Sequence, residues 1–238
     1  MRRDVFAAGA RRVWIAPVLG MHWLASMFVG LASPASVVAA TVDALHQVDG
    51  RPILLIGHSA GGILARLATA SAPFDGARRA RSGAVGALVT LGTPHGATRV
   101  DGTLGRHGRR AVRFLTAHGA PPDVPPTVTV GSDFDVAGDG GGGRGSRRVH
   151  AGLASATYFA LRGHAAGPAL GDGMVPLETM FLSGSAEIRL SGIAHAPLVW
   201  LAPWYGSPEG IATWWEDAVR LWREGIGSRP EPGVRSPA

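Results

Sequence analysis

The sequence predicts an α/β fold, in which a mostly parallel sheet is covered by helices on both faces. Apolar runs of strand length recur at residues 52–56, Val85–Leu91 and 125–131. Between them lie stretches in which apolar residues repeat three or four positions apart, as in an amphipathic helix. Strands that are apolar on both faces are typical of parallel sheets, whose crossover helices bury both sides.

The length of the chain and its composition favour a single domain. With 238 residues and 46% hydrophobic content, the chain can bury a substantial core. We predict one domain over residues 1–227. Residues 228–238 are rich in proline, and we expect them to form a disordered tail.

The first elements are a short helix ending near Gly9, a strand at residues 13–18 and a helix around residues 35–47. Residues 13–42 contain no Asp, Glu or Arg, so they resemble an export signal or a membrane span. Several Pro, Gly and Ser residues interrupt this stretch, which favours a buried strand followed by a helix. We therefore expect a cytoplasmic protein, with a secreted or membrane-associated one as the alternative.

The next strand and helix enclose the most informative motif, Gly57-His58-Ser59-Ala60-Gly61. It has the G-x-S-x-G pattern of a nucleophile elbow, in which a sharp turn between strand and helix presents a serine. We expect Gly57 and Gly61 to be glycine because a Cβ there would clash with the returning chain. The motif makes Ser59 the predicted nucleophile.

The remaining elements continue the alternation of strand and helix. Val85–Leu91 is followed by a helix around residues 109–117, and the strand at 125–131 by a late strand at 186–190. The glycine- and arginine-rich stretch 138–148 predicts a mobile, solvated loop. A helix over residues 208–222 has apolar residues on one face and completes the predicted fold.

Composition excludes several classes of function. All 23 basic residues are arginine and the net charge is +6, but the arginines are scattered or lie in loops without interleaved aromatic residues. That distribution argues against nucleic acid as a partner. The chain has no cysteine, which excludes disulfides, thiolate metal sites and a cysteine nucleophile. We predict no metal and no organic cofactor.

A serine hydroxyl needs a base to accept its proton and an acid to orient that base. Of the nine histidines we favour His195, because it follows the late strand at the carboxyl edge of the sheet, where open parallel sheets bind ligands. For the acid we favour Asp172, which lies between two glycines. Asp133 and Asp135, directly after a predicted strand, remain alternatives.

Four motifs together resemble the lipase-like α/β-hydrolases, in the chain order of that family. They are Gly57-His58-Ser59-Ala60-Gly61, Leu91-Gly92-Thr93-Pro94-His95, Gly171-Asp172-Gly173-Met174-Val175-Pro176 and Gly192-Ile193-Ala194-His195. The resemblance implies an acyl-enzyme mechanism on carboxylic esters, in which Ser59 attacks, His195 shuttles the proton and Asp172 orients His195. It also implies that His95 belongs to the pocket wall and has no catalytic role.

The resemblance is incomplete where the oxyanion hole should form. Ala60 supplies one backbone N–H, and the second should come from a loop after an earlier strand. Only residues 13–18 qualify as such a strand. If they form the peripheral strand of the family, the oxyanion strand is lacking and the chain is N-terminally truncated, with its start placed too late. In the competing hypothesis, 13–18 is the oxyanion strand and 19–21 its loop.

The sequence thus predicts a serine hydrolase acting on esters, with two alternatives. One is a truncated or non-catalytic protein of the same fold that acts in binding, and the other is a thioesterase or peptidase with the same triad. The expected partner is a small-molecule or lipid ester, with contact to a membrane or lipid surface as a further expectation. Some apolar residues line either an acyl pocket or the core: Trp23, Leu24, Met27, Phe28, Met174 and Phe181.

Overall fold

A computed structural model describes residues 1–19, 30–76, 83–96, 105–118, 124–134, 170–197 and 202–227. Its strands are β1 (Ile53–His58), β2 (Val85–Leu91), β3 (Thr127–Asp133) and β4 (Ala186–Ser191). Its helices are α1 (Arg2–Ala7), α2 (Ala32–Asp49), α3 (Ala60–Thr69), α4 (Gly105–His118) and α5 (Pro208–Gly227), with a 3-10 helix at Leu177–Thr179. The predicted loop at 138–148 and the tail at 228–238 lie outside the described residues.

The four strands form one parallel sheet in the order β1-β2-β3-β4. Each strand therefore pairs with its successor in the chain, and α3 and α4 lie in the first two crossovers. Parallel pairing brings the carboxyl ends of all four strands to one edge of the sheet. The predicted α/β fold is confirmed, and four of the five predicted strands agree with observed ones to within about two residues.

Alternate residues of β1 divide the core into two layers. Leu55 packs with the buried residues of α2, α3 and α4, whereas Leu54 and Ile56 pack with those of α5 on the opposite face. β2 lies between these layers and all seven of its residues are buried. Helices thus cover both faces of the sheet, which is why β2 reads as a continuous apolar run rather than an alternating one.

The predicted strand at residues 13–18 is wrong, because these residues have no strand structure. Val18 N donates to Ala16 O at 2.7 Å, a tight local turn that an extended strand cannot make. Trp14 and Ile15 are 63% and 69% exposed, whereas Val13, Ala16 and Val18 are partly buried against the core. Neither hypothesis that uses 13–18 as a strand of the sheet describes its conformation.

The helix predicted to follow that run is present as α2, whose apolar face contributes Ala35, Val38 and Ala39 to the core. It ends at Gly50, whose φ of 64° is the left-handed conformation that glycine adopts most readily. Among the residues that the structure describes, no helix has both the length and the apolar character needed to cross a bilayer.

Candidate active site

Ser59 occupies a strained turn between the end of β1 and the start of α3. Its φ of 55° and ψ of −130° are unusual for a residue with a side chain. Three hydrogen bonds hold the backbone there: Ser59 N donates to Leu91 O at 2.9 Å, and Ser59 O accepts from Gly62 N and Thr93 Oγ1, both at 3.0 Å. These hydrogen bonds hold the backbone conformation from which the Ser59 side chain projects.

Gly57 and Gly62 permit the close return of the chain at this turn, whereas we expected Gly57 and Gly61 to do so. A Cβ at Gly57 would lie 2.6 Å from Gly62 Cα, so the need for glycine at 57 agrees with the prediction. A Cβ at Gly61 would meet nothing within 4 Å, so the expected clash there is wrong. The crowded position is Gly62, where a Cβ would lie 2.0 Å from Thr93 Oγ1.

Asp172 and His195 are directly hydrogen bonded, with 2.7 Å between Oδ2 and Nδ1. The Asp172 side chain is 0% exposed and that of His195 4% exposed. His195 lies just after β4, as predicted, and its N–H donates to Asp172 O at 2.8 Å. Because Nδ1 donates to the carboxylate, the neutral imidazole has its lone pair on Nε2, where a base would accept a proton.

Among the residues that the structure describes, four donors surround the buried Asp172 carboxylate. Oδ1 accepts from the backbone N–H groups of Met174 at 3.1 Å and Val175 at 2.8 Å. Oδ2 accepts from His195 Nδ1 and from the Tyr205 hydroxyl, the latter at 3.1 Å. A carboxylate this deeply buried needs such partners, since an isolated buried charge is very costly. Tyr205 was not among the predicted site residues, and no motif pointed to it.

The candidate acids Asp172 and Asp133 differ in their contacts with His195. Asp133 ends β3, and its backbone O accepts from Gly192 N at 2.7 Å on the way to the His195 loop. Its Oδ1 is buried without a hydrogen-bond partner among the described residues, and its side chain is not bonded to His195. Asp135 lies outside the described part of the chain. Of the two carboxylates that can be compared, Asp172 is the one in contact with His195.

His58, directly before Ser59, also belongs to the site, although no sequence motif assigned it a role. Its Nε2 donates to the backbone O of His195 at 2.8 Å, and the two ring centroids are 4.7 Å apart. Burial, followed by the charge of a protonated His195, lowers the pKa of His58 to about 4. His58 is therefore neutral near pH 7 and ties the end of β1 to the His195 loop.

His95 is buried between α3 and β2. It is 4% exposed, and its Nδ1 accepts from Arg66 Nη1 at 3.0 Å while Nε2 donates to Thr90 Oγ1 at 2.8 Å. Burial and the charge of Arg66 lower the pKa of His95 well below its usual value, and burial lowers that of Arg66 to about 10. Both ring nitrogens of His95 are thus hydrogen bonded within the protein, and its place in a pocket wall stays a prediction.

The remaining predicted groups are only partly defined. Ala60 is the first residue of α3, and N–H groups in the first turn of a helix lack an intrahelical acceptor, so its N–H suits an oxyanion. Of the segment 19–21, expected to carry the second donor, only Leu19 is described. Among described residues, Ser59 Oγ is not hydrogen bonded to His195; such bonds are often long before substrate binds.

Two of the apolar residues considered for an acyl pocket, Met174 and Phe181, pack against the core layer that contains α3 and α4. The other four, Trp23, Leu24, Met27 and Phe28, lie outside the described residues. In the ranges that the structure describes, no cluster of His, Asp or Glu could hold a metal ion.

A parallel sheet with helices on both faces, and a strained serine turn at the carboxyl end of a strand, define an α/β-hydrolase-type fold. Residues 31–130 match the family model described as PGAP1-like alpha/beta domain. The structure is similar to that of Bacillus licheniformis lipase BlEst2 in its mature form, with a TM-score of 0.53 and 17% identity over 81% of this chain and 74% of that chain. No curated protein matches the sequence significantly.

These findings support a lipase-like α/β-hydrolase, the family that the four sequence motifs resemble. The structural likeness, at 17% identity, is a likeness of fold alone. Together with the family match it supports a hydrolase at the level of class.

Proposed function

We propose that this protein is a serine hydrolase that cleaves carboxylic esters through Ser59, His195 and Asp172. The observation that carries the proposal is the buried 2.7 Å hydrogen bond between Asp172 and His195, because it leaves Nε2 of His195 as the basic nitrogen. The His58 contact brings the loop that carries His195 to the turn that carries Ser59. Both groups thus lie at the carboxyl edge of the sheet.

In the proposed mechanism, Ser59 Oγ attacks the ester carbonyl while Nε2 of His195 takes the hydroxyl proton. The Ala60 N–H stabilises the negative charge on the carbonyl oxygen, and the positive end of the α3 dipole adds to that field. His195 then gives its proton to the departing alkoxide, which leaves an acyl-enzyme. Water, activated by the same nitrogen, releases the acid and restores Ser59.

The substrate class in this proposal is a small-molecule or lipid ester. The similar solved structure is that of a lipase, which supports ester over amide chemistry. The exposed side chains of Trp14 and Ile15 are suited to contact with a lipid surface, because insertion at the lipid–water boundary removes apolar groups from water. To distinguish esters from thioesters and peptides as the substrate class, kcat/KM is compared for oxygen esters, thioesters and anilides that carry the same acyl group.

The decisive experiment is covalent labelling of the purified protein by a fluorophosphonate, which requires an activated serine but no knowledge of the substrate. We expect labelling of the wild type, its loss in Ser59→Ala and its retention in Ser36→Ala. Ser36 is a suitable control because its Oγ bonds Ala32 O on the exposed side of α2. If the folded wild type is not labelled, the protein is a non-catalytic member of the fold that acts in binding.

A further inference from the structure

Tyr205 contacts the same carboxylate oxygen as the histidine. Its hydroxyl lies 3.1 Å from Asp172 Oδ2, the atom that accepts from His195 Nδ1 at 2.7 Å. The hydroxyl also lies 3.7 Å from Met180 Sδ, but its single proton favours the carboxylate because charge-assisted hydrogen bonds are the stronger ones. Two donors therefore share one oxygen of the proposed acid.

Tyr205 is held firmly enough for this contact to be specific. The residue is 0% exposed, and its backbone O accepts from Trp214 Nε1 at 3.0 Å. The segment just before it runs alongside the histidine loop, where Ala194 N donates to Pro203 O at 2.8 Å. The tyrosine thus approaches Asp172 from a backbone that also supports the neighbour of His195.

The backbone of Gly92 creates the space in which the three side chains meet. A Cβ at this position would lie 2.6 Å from Asp172 Oδ2, 2.8 Å from Tyr205 Cε2 and 3.0 Å from His195 Nδ1. The φ of Gly92 is +53°, a conformation that residues with side chains rarely adopt. The tyrosine, the carboxylate and the imidazole form one packed unit against this glycine.

We propose that Tyr205 is a positioning residue for the Asp172–His195 pair. Its hydroxyl fixes the rotation of the carboxylate and draws electron density from Oδ2, so it sets how strongly the carboxylate binds the imidazole. The proposal rests on the proposed function for its effect on catalysis, whereas its effect on the hydrogen bond between Asp172 and His195 does not depend on any activity.

The first test compares the wild type with Tyr205→Phe, which keeps the buried ring and removes only the hydroxyl. In proton NMR, we expect the His195 Nδ1–H signal, identified by its loss in His195→Asn, to move downfield, because Oδ2 loses a competing donor and binds this proton more strongly. Thr41→Val serves as the control, since it deletes a hydroxyl that bonds Val37 O within α2, remote from the site.

A second variant retains the hydroxyl, so it tests the proposal even if Tyr205→Phe does not fold. The chain has two tyrosines, and the other, Tyr158, lies outside the described residues. In a Tyr158→Phe background, 3-fluorotyrosine at position 205 is a more acidic donor of nearly the same shape. We expect it to shift the Nδ1–H signal upfield, opposite to the shift in Tyr205→Phe. Unchanged signals, or shifts in one direction for both, would overturn the proposal.

If the protein is a serine hydrolase, the same variants change its kinetics. Loss of a hydrogen bond to a charged group predicts a fall in kcat of roughly 5- to 50-fold for Tyr205→Phe, with KM unchanged. We also expect the acid limb of the pH profile to move to higher pH, because the positive end of the O–H dipole no longer opposes a protonated His195. Equal kinetics and pH profiles in Tyr205→Phe and wild type would refute an effect of Tyr205 on catalysis. An inactive wild type would refute the proposed function, but the NMR test of the hydrogen bond between Asp172 and His195 could still be made.

Discussion

His58 Nε2 donates a hydrogen bond of 2.8 Å to the backbone oxygen of His195, so the residue before Ser59 holds the residue that we propose as its base. The contact joins the end of β1 to the loop after β4, the two outer strands of the described sheet. The relative position of the two proposed catalytic groups therefore depends on a side chain that has no chemical step of its own.

This contact predicts different outcomes for two substitutions of His58. His58→Phe keeps an aromatic ring but leaves the carbonyl of His195 without its donor, which costs about 1–3 kcal/mol for a buried group. We expect kcat/KM on a short acyl ester to fall about 10-fold or more. His58→Gln retains an N–H donor at a similar reach and should stay closer to wild type. A larger loss in His58→Gln than in His58→Phe would mean that the ring, and not the hydrogen bond, is what matters.

The proposed roles of the carboxylates predict a contrast between Asp172→Asn and Asp133→Asn. The amide at 172 cannot accept the Nδ1–H as a carboxylate does, and it favours the wrong tautomer of His195, so we expect turnover to fall by about 10⁴-fold. Asp133→Asn should retain activity because Asp133 is not bonded to His195. Steady-state kinetics on one ester substrate compare the two, and a larger loss in Asp133→Asn would transfer the role of acid to that residue.

Neighbouring glycines of α3 should differ in their tolerance of alanine. Gly61→Ala adds a methyl group to open space in a helix and should raise stability by up to about 1 kcal/mol. Gly62→Ala forces Thr93 to move and weakens its bond to Ser59 O, so we expect a loss of roughly 1–3 kcal/mol. Urea denaturation of both variants measures the difference, and the reverse order of stability would contradict the described turn.

The lowered pKa of His58 predicts how stability depends on pH. In the unfolded chain, His58 has its ordinary pKa of 6.5 and binds a proton below that pH. In the folded protein its pKa is about 4, so it stays neutral until the pH falls to that value. The neutral side chain therefore costs no stability above pH 6.5, and stability is lost as the pH falls through this window.

His58→Gln removes this titration and keeps a donor at the same position. Between about pH 7 and about pH 5, we expect the free energy of unfolding of the wild type to fall about 2 kcal/mol more than that of the variant. His95, whose pKa is also lowered, contributes equally to both proteins. Parallel losses of stability in the two proteins would show that His58 is readily protonated in the folded state.

Much of the fold could be predicted because its signals are local. Val85–Leu91 is a continuous apolar run and is a fully buried strand, and α5 begins at Pro208 where the helical periodicity begins. The turn at Ser59 follows from a short motif whose residues are adjacent in the chain. In each case the residues that specify the structure are those that form it.

The segment 13–18 shows where local patterns are insufficient. It is as apolar as the true strands, but a strand is stable only when a neighbour completes its hydrogen bonds. Only the position of other elements supplies that neighbour, and these residues instead form a tight turn with Trp14 and Ile15 exposed. Composition alone does not distinguish the two situations.

Local patterns in the residue order were enough to predict the alternation of strands and helices and the serine turn, and to favour Asp172 and His195 as the partners of Ser59. Only the folded chain shows that Asp172 lies against His195, that His58 and Tyr205 complete the cluster, and that Gly62 is the crowded glycine. The two kinds of information act over different distances along the chain. Periodicity and turn chemistry act between neighbours in the chain, whereas a hydrogen bond between residues 137 positions apart depends on how every element between them packs.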